Sequence, residues 1–382
     1  MKKELLLAIP LLLAACRQPL PFDAPAGPES LSEGILQVQL VLPEDPATKV
    51  LGTEAKESDV KTLQIFVFKD NNATDPSQNT WETDKWEGSA NNNASLTLNT
   101  YVGRKKVWAL VNAPRQSFAN EQELMTHFSR LEENSATALV MAGNAGIEVG
   151  ENNTGGGVGA PTTVPITVSR LGARISIRNV NVDFTNTSLE GCQLDIKEVY
   201  VLNAVNSVRL DGTSRTTAEL ATQDNWYNLE AWSESVPAGA RAILGDRGDL
   251  KVSLGPTTGT QDLNRHFYVY PNASTAANDN TEATASARLT RLILHGYIRG
   301  AAGRNTGDNL KHEEDSYYCF DIPKSADGKT LQRNHTYDIE NITITMPGGK
   351  SDAPTDRPKY GKVSATITVN DWGQHTTLTY EL

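Results

Sequence analysis

The sequence predicts a mainly β protein, two tandem β-sandwiches behind a lipoprotein signal peptide. Three observations predict it. Apolar residues alternate with period two over most of the chain. Clusters of Gly, Asn, Asp and Pro interrupt these runs, as turns between short strands do. The first sixteen residues end in a lipobox. Lys2 and Lys3 form a short positive region, Leu5 to Leu13 is apolar apart from Pro10, and Leu13-Ala14-Ala15 precedes Cys16, the residue to be acylated. That apolar run is too short to span a bilayer, so residues 1–15 read as a signal and not an anchor helix.

The elements follow in order. Leu36, Val38, Leu40 and Leu42 form one apolar face of a first strand. Leu63 to Phe68 is a continuous apolar run, expected of a strand covered on both faces and stopped by the turn Lys69-Asp70-Asn71-Asn72. Ser95 to Leu98 and Lys106 to Val111 read as further strands. Asn120 to Glu133 reads as a helix: Asn120 caps it, Glu123 completes a capping box, and Leu124, Phe128 and Leu131 recur at helical spacing. The Gly- and Asn-rich stretch from Gly150 to Gly159 reads as a flexible loop before Val164 to Val168.

The alternation restarts near Ser169. Arg174 to Val180, Asp195 to Leu202, His266 to Tyr270, Arg291 to Ile298, Tyr317 to Ile322 and Tyr337 to Thr345 read as strands. Val363 to Val369 and Thr376 to Leu382 are two more. The expected organisation is a lipidated segment at residues 16–49, a first sandwich over 50–165 and a second over 166–382.

Composition narrows the function classes. The 367 residues left after the signal are ample for two cores. Lys and Arg number 35 against 46 Asp and Glu, a net −11 that is dispersed along the chain and argues against nucleic acid. With Cys16 acylated, two cysteines remain, Cys192 and Cys319, both in strand-like stretches of the second half. An oxidising compartment allows a bond between them. Two buried thiols are the simpler reading.

No pattern supports catalysis, a metal or a cofactor. The six histidines show no ligand spacing, and His312-Glu313-Glu314-Asp315 reads as a solvated loop. Gly155-Gly156-Gly157 lacks the Lys-Ser/Thr of a phosphate loop, and no Gly-x-Ser-x-Gly elbow occurs. Arg247-Gly248-Asp249 matches an integrin-binding tripeptide, but turn chemistry explains it more simply.

Taken together, the blocks resemble the FimA-type fimbrillins, subunits of the type V pili of Bacteroidales. A lipobox precedes a strand. Thr48-Lys49-Val50-Leu51-Gly52 resembles the family's processing site, and Glu57 to Phe68 its first strand after processing. Arg170-Leu171-Gly172-Ala173-Arg174-Ile175 resembles its inter-domain signature. Leu331 to Ile339 and Ile367-Thr368-Val369-Asn370-Asp371-Trp372 resemble its C-terminal blocks. One departure is Lys49, where the family usually carries Arg.

The resemblance implies two transthyretin-like sandwiches and a role in a cell-surface fimbria at the outer membrane. The lipid on Cys16 holds the precursor, and cleavage between Lys49 and Val50 removes the first strand. A donor strand then fills the vacated groove, with Val363, Ala365, Ile367 and Val369 as its inward residues; Leu378, Tyr380 and Leu382 form a second set. The partners implied are other copies of the chain, minor fimbrial subunits and a host or bacterial adhesion ligand. Two other readings stand beside it: an anchor or tip subunit that keeps its lipid, and a glycan-binding surface lipoprotein using Trp81, Trp86, Trp226, Tyr227 and Trp232 as sugar platforms.

Overall fold

The computed structural model describes residues 32–43, 57–151, 153–154, 157–158, 160–245, 250–273, 289–300, 314–322, 331–352 and 363–371. Cys16, Lys49, Val50, the Arg247-Gly248-Asp249 tripeptide and the strand expected from Thr376 to Leu382 lie outside them.

Two pairs of sheets build the molecule. In the first, the main strands are β1 (Glu33–Val41), β2 (Leu63–Lys69), β3 (Trp81–Glu87), β4 (Ser95–Tyr101), β5 (Gly103–Val111), β6 (Met141–Val149), β7 (Thr162–Thr167) and the short β8 (Ser169–Arg170). A three-stranded sheet in the order β7-β1-β4 packs on a five-stranded sheet in the order β8-β6-β5-β2-β3. The second pair begins three residues after β8, with β9 (Ala173–Asp183). It continues through β10 (Gln193–Leu202), β11 (Val252–Leu254), β12 (Thr258–Val269), β13 (Arg291–Arg299), β14 (Glu314–Asp321), β15 (His335–Ile344) and β16 (Val363–Asp371). Its sheets are β12-β9-β15-β16 and β11-β10-β13-β14.

The period-two pattern explains the layers. Leu36 and Val38 are fully buried while Gln39 and Val41 face out. Every residue from Leu63 to Phe68 is buried because β2 separates two cores. Ile65 and Val67 face the interior of the first sandwich. Phe66 and Phe68 face the other way, into an apolar cluster that includes Trp108 and Leu110 and continues into Ile175, Ile177 and Ile339 of the second sandwich.

Three local expectations are corrected, and one open alternative is closed. The helix stops at Thr126: Asn120 caps it, accepting from the Glu123 N–H at 2.9 Å, but the His127 backbone is extended. Phe128–Arg130 then pairs as a strand with Ser207–Arg209 of the second half, so tertiary pairing overrides local helical spacing. Within the Gly150–Gly159 stretch, Asn153–Thr154 and Gly157–Val158 pair as a hairpin. Glu314 and Asp315 are not loop residues; they begin β14, where an Asp315 carboxylate oxygen lies 3.1 Å from His295 Nε2. No disulfide joins Cys192 to Cys319. Cys192 packs in the main core beside Leu194, whereas Cys319 packs with Tyr200 and Ile293 in a separate cluster, so the sheet's two faces hold them apart.

Candidate functional site: the seat of the first strand

The first strand does not decorate the sandwich; it completes it. β1 is the centre of its sheet, parallel to β7 from Leu36↔Thr162 to Val41↔Thr167 and antiparallel to β4 from Glu33↔Tyr101 to Gln39↔Ser95. Its backbone is therefore bonded on both edges. Beyond the ladders, the Leu40 N–H donates to the Ala94 carbonyl at 2.7 Å, and the Val168 N–H donates to the Val41 carbonyl at 3.1 Å.

Below it lies an apolar floor. Leu36, Val38 and Leu40 meet Leu63, Ile65, Val67, Val107, Ala109 and Met141 of the facing sheet. The walls add Leu96 and Leu98 from β4 and Val164 and Ile166 from β7. Adjacent strands lie about 4.8 Å apart, so without β1 its two neighbours would flank a gap of roughly twice that. Both gap edges would carry a row of unpaired N–H and C=O groups.

One end of the seat is narrow. Gly34 is buried and in phase with Leu36. A Cβ built there would lie 2.6 Å from Val149 Cγ1 and 3.3 Å from the Gly150 carbonyl oxygen. Val149 is itself fully buried, so the glycine answers to space, not to a special backbone angle.

Each wall has its own attachment to the facing sheet. On the β4 side, Glu82 of β3 accepts from the Thr100 hydroxyl, from the Tyr101 N–H at 3.0 Å and from Lys105 Nζ at 2.6 Å. Glu82 and Lys105 are almost wholly buried, which a paired and hydrogen-bonded ion pair tolerates. Lys85 Nζ also donates to the Thr97 carbonyl at 2.7 Å. On the other side, β7 turns directly into β8 of the facing sheet. There Gly143 lets the two sheets touch, since a Cβ would come within 2.1 Å of the Thr167 carbonyl oxygen.

The chain beyond residues 44–56 re-enters at Glu57, and the second sandwich holds it. Glu57 is buried; Arg174 Nη1 donates to both its carboxylate oxygens, at 3.3 and 3.2 Å, and the Tyr268 hydroxyl donates at 2.5 Å. Arg174 and Tyr268 stand opposite each other on β9 and β12. Burial, followed by the Glu57 charge, pushes the Tyr268 hydroxyl well above its usual range. Burial and then Arg174 lower the neighbouring His266 imidazole.

The expected donor residues fall on β16, which is bonded to β15 and is an edge strand among the described residues. Its register sets Val363 opposite Ile344, Ile367 opposite Ile339 and Val369 opposite Tyr337; Ala365 is buried. The aromatic platforms come apart. Trp226 and Tyr227 are buried, bonded to the Leu220 carbonyl and to Glu132, so neither presents a face to a sugar. Trp232 packs edge-on against Tyr200, while Trp81 is 47% exposed. Among the described residues no three His, Cys, Asp or Glu side chains converge as metal ligands.

Sequence reading located β1 and β16 but missed Gly34, the Glu82–Lys105 pair and the Glu57 clamp. Gly34 had a signal, its phase with Leu36. The two ion pairs had none, because their partners are distant in the chain.

No family model matches the chain, and no curated protein does. Solved structures do. A fimbrilin (FimA) from Porphyromonas gingivalis superposes with a TM-score of 0.55 at 15% identity, covering 91% of this chain and 99% of that one. The fold is that of a FimA-type fimbrilin. A candidate cell adhesion protein from Parabacteroides distasonis gives a TM-score of 0.60 at 17% identity over 90% of this chain and all of that one. Another such protein, from Bacteroides eggerthii, gives 0.56 at 16% identity, with 90% and 97% covered.

Proposed function

We propose that this chain is a structural subunit of an adhesive cell-surface fimbria. It is made as an outer-membrane lipoprotein acylated on Cys16 and polymerises by strand exchange once cleavage between Lys49 and Val50 frees β1. The observation that carries the reading is the place of β1. A segment upstream of a protease-type site supplies the middle strand of a sheet whose walls are anchored without it. Its loss creates two open edges over an apolar floor, a strong acceptor for an added strand. The donor is β16 of the next copy, whose inward set is Val363, Ala365, Ile367 and Val369. Minor fimbrial subunits join the same way, and the assembled fibre meets a host or bacterial ligand. No residue has a catalytic role in this reading.

Mass spectrometry of the surface form tests it. The expected mature chain starts at Val50 and has 333 residues. Lys49, in place of the family's usual Arg, favours a second reading, an anchor or tip subunit that keeps its lipid. Finding only the acylated chain starting at Cys16 would establish that alternative.

A further inference from the structure

The seat of β1 has five inward positions. Gly34, Leu36, Val38 and Leu40 are buried, and Leu42 packs on the same core at the exit. The first position is selective, since any side chain there runs into Val149 and the Gly150 carbonyl. A replacement strand must bring a glycine to that place and aliphatic residues to the next four alternate places. Only two glycines in the chain are followed by Ala, Val, Leu or Ile at the second, fourth, sixth and eighth positions. One is Gly34. The other is Gly361, followed by Val363, Ala365, Ile367 and Val369.

We infer that residues 361–369 of a second copy enter the seat in the direction of β1 and in a single register, with Gly361 in the place of Gly34. The inference rests on the strand-exchange reading and adds to it the register and the residue that sets it. Val363 then replaces Leu36, Ala365 replaces Val38, Ile367 replaces Leu40 and Val369 replaces Leu42. Lys362, Ser364, Thr366 and Thr368 take the outward places of Ile35, Gln37, Gln39 and Val41. Gly361 and Lys362 lie outside the described residues, so the match is one of sequence to a described seat.

Other registers fail on the same geometry. A slip of one residue turns Ser364, Thr366 and Thr368 onto the apolar floor. A slip of two brings either Val363 or Lys359 to the narrow end. The incoming set also fills the seat less well than β1. It has four fewer side-chain carbons: one fewer at Val363, two fewer at Ala365 and one fewer at Val369. The resident strand is both tethered and larger, so exchange waits for cleavage and does not compete with it.

Paired cysteines in the full chain read the register. Gln37 is the Cα partner of Thr97, so Ser364 should stand beside Thr97 of the neighbouring copy. The variant Ser364→Cys/Thr97→Cys, cleaved at Lys49 and oxidised, should give a ladder of disulfide-linked multimers. Thr366→Cys/Thr97→Cys should assemble under reducing conditions yet give no ladder. Gly361→Val should lower fibre yield at least tenfold, with secretion and circular dichroism of the uncleaved monomer unchanged. Adding Val149→Ala should restore part of the assembly lost in Gly361→Ala. Fibres that cross-link through Thr366, that cross-link through neither pair, or that form as well from Gly361→Val as from wild type overturn the register and leave strand exchange standing. Cleaved wild-type chain that stays monomeric overturns both.

Discussion

β1 and β16 are both alternating strands of nine residues, but among the described residues one is central and the other is an edge. A central strand carries two ladders; an edge strand carries one. Removing β1 divides its sheet and uncovers the first core. Removing β16 shortens its sheet from four strands to three and leaves the other ladders paired. On the proposed strand-exchange reading, the strand discarded leaves a site that must be filled, and the strand lent can leave its own sandwich standing. That reading puts the demand in one sandwich and the supply in the other.

The largest test of that contrast is truncation. A chain starting at Val50 should lose the cooperative unfolding transition of the first sandwich in calorimetry, because Leu36, Val38 and Leu40 leave the core together and large-to-small changes at single buried aliphatics already cost about 2–5 kcal/mol. A peptide of residues 32–43 should restore it. A chain ending at Tyr360 should keep both transitions, the second at a lower temperature. Equal losses from the two truncations would erase the distinction between central and edge strand.

Assembly gives the next largest effect. Ile367→Asp should abolish fibres from cleaved subunits, since an unpaired charge on an apolar floor is strongly unfavourable, whereas Thr366→Asp should be tolerated. Circular dichroism of the Ile367→Asp monomer separates failed exchange from a second sandwich that does not fold. Folded Ile367→Asp monomers that polymerise normally would remove β16 as the donor.

The clamp between the two regions comes third. Glu57→Ala leaves Arg174 buried without its carboxylate, and breaking a buried pair costs about 3–5 kcal/mol. The loss should show in chemical denaturation of the uncleaved chain, and hydrogen exchange should rise first around Ser58 to Lys61. Unchanged denaturation would mean the two regions stand independently of this contact.

The smallest effect expected is one of pH. His266 has its folded-state pKa lowered by burial and by Arg174, with Arg178 adding to the push and Glu57 and Asp338 opposing it. A lowered folded pKa makes the protonated form unwelcome in the native state. The stability it contributes is full above the ordinary histidine value and is lost as pH falls through that value toward the folded one. The melting temperature should drop between about pH 7.5 and 5, and His266→Gln should flatten that slope.

Much of this was open to inspection in the chain. Alternation placed β1, β9 and β10, because a two-residue period fixes which side chains face a core whatever the strand order, and the continuous apolar run placed β2. The Asn120 cap is local, three residues from its partner: Asn120 accepts from the Glu123 N–H as expected, while the Glu123 carboxylate accepts from the Ala119 N–H and not from that of Asn120. The lipobox, the Lys49 stretch and the inward set of residues 363–369 are likewise properties of short segments. Their meaning as a processed and exchanged pair came from resemblance, not from spacing.

What only the tertiary structure decided is where those segments lie. Nothing in Leu36-Gln37-Val38-Gln39-Leu40 distinguishes a central strand from an edge strand, and the parallel partner at residues 162–167 is over a hundred positions away. Helical spacing from Asn120 to Leu131 was real, yet the chain leaves the helix at His127 because Phe128–Arg130 gains a ladder with Ser207–Arg209. Trp226 and Tyr227 could serve as sugar platforms or as core until burial in the main apolar cluster decides for the core. Cys192 and Cys319 are open to a bond as well as to two thiols until the sheet faces separate them. The physical reason is the same in each case. Local sequence sets the backbone conformation and the face of a strand, whereas burial and long-range pairing are energies shared between segments far apart in the chain. The packing against Val149, which leaves room only for a glycine at position 34, is one such shared term, written in neither segment alone.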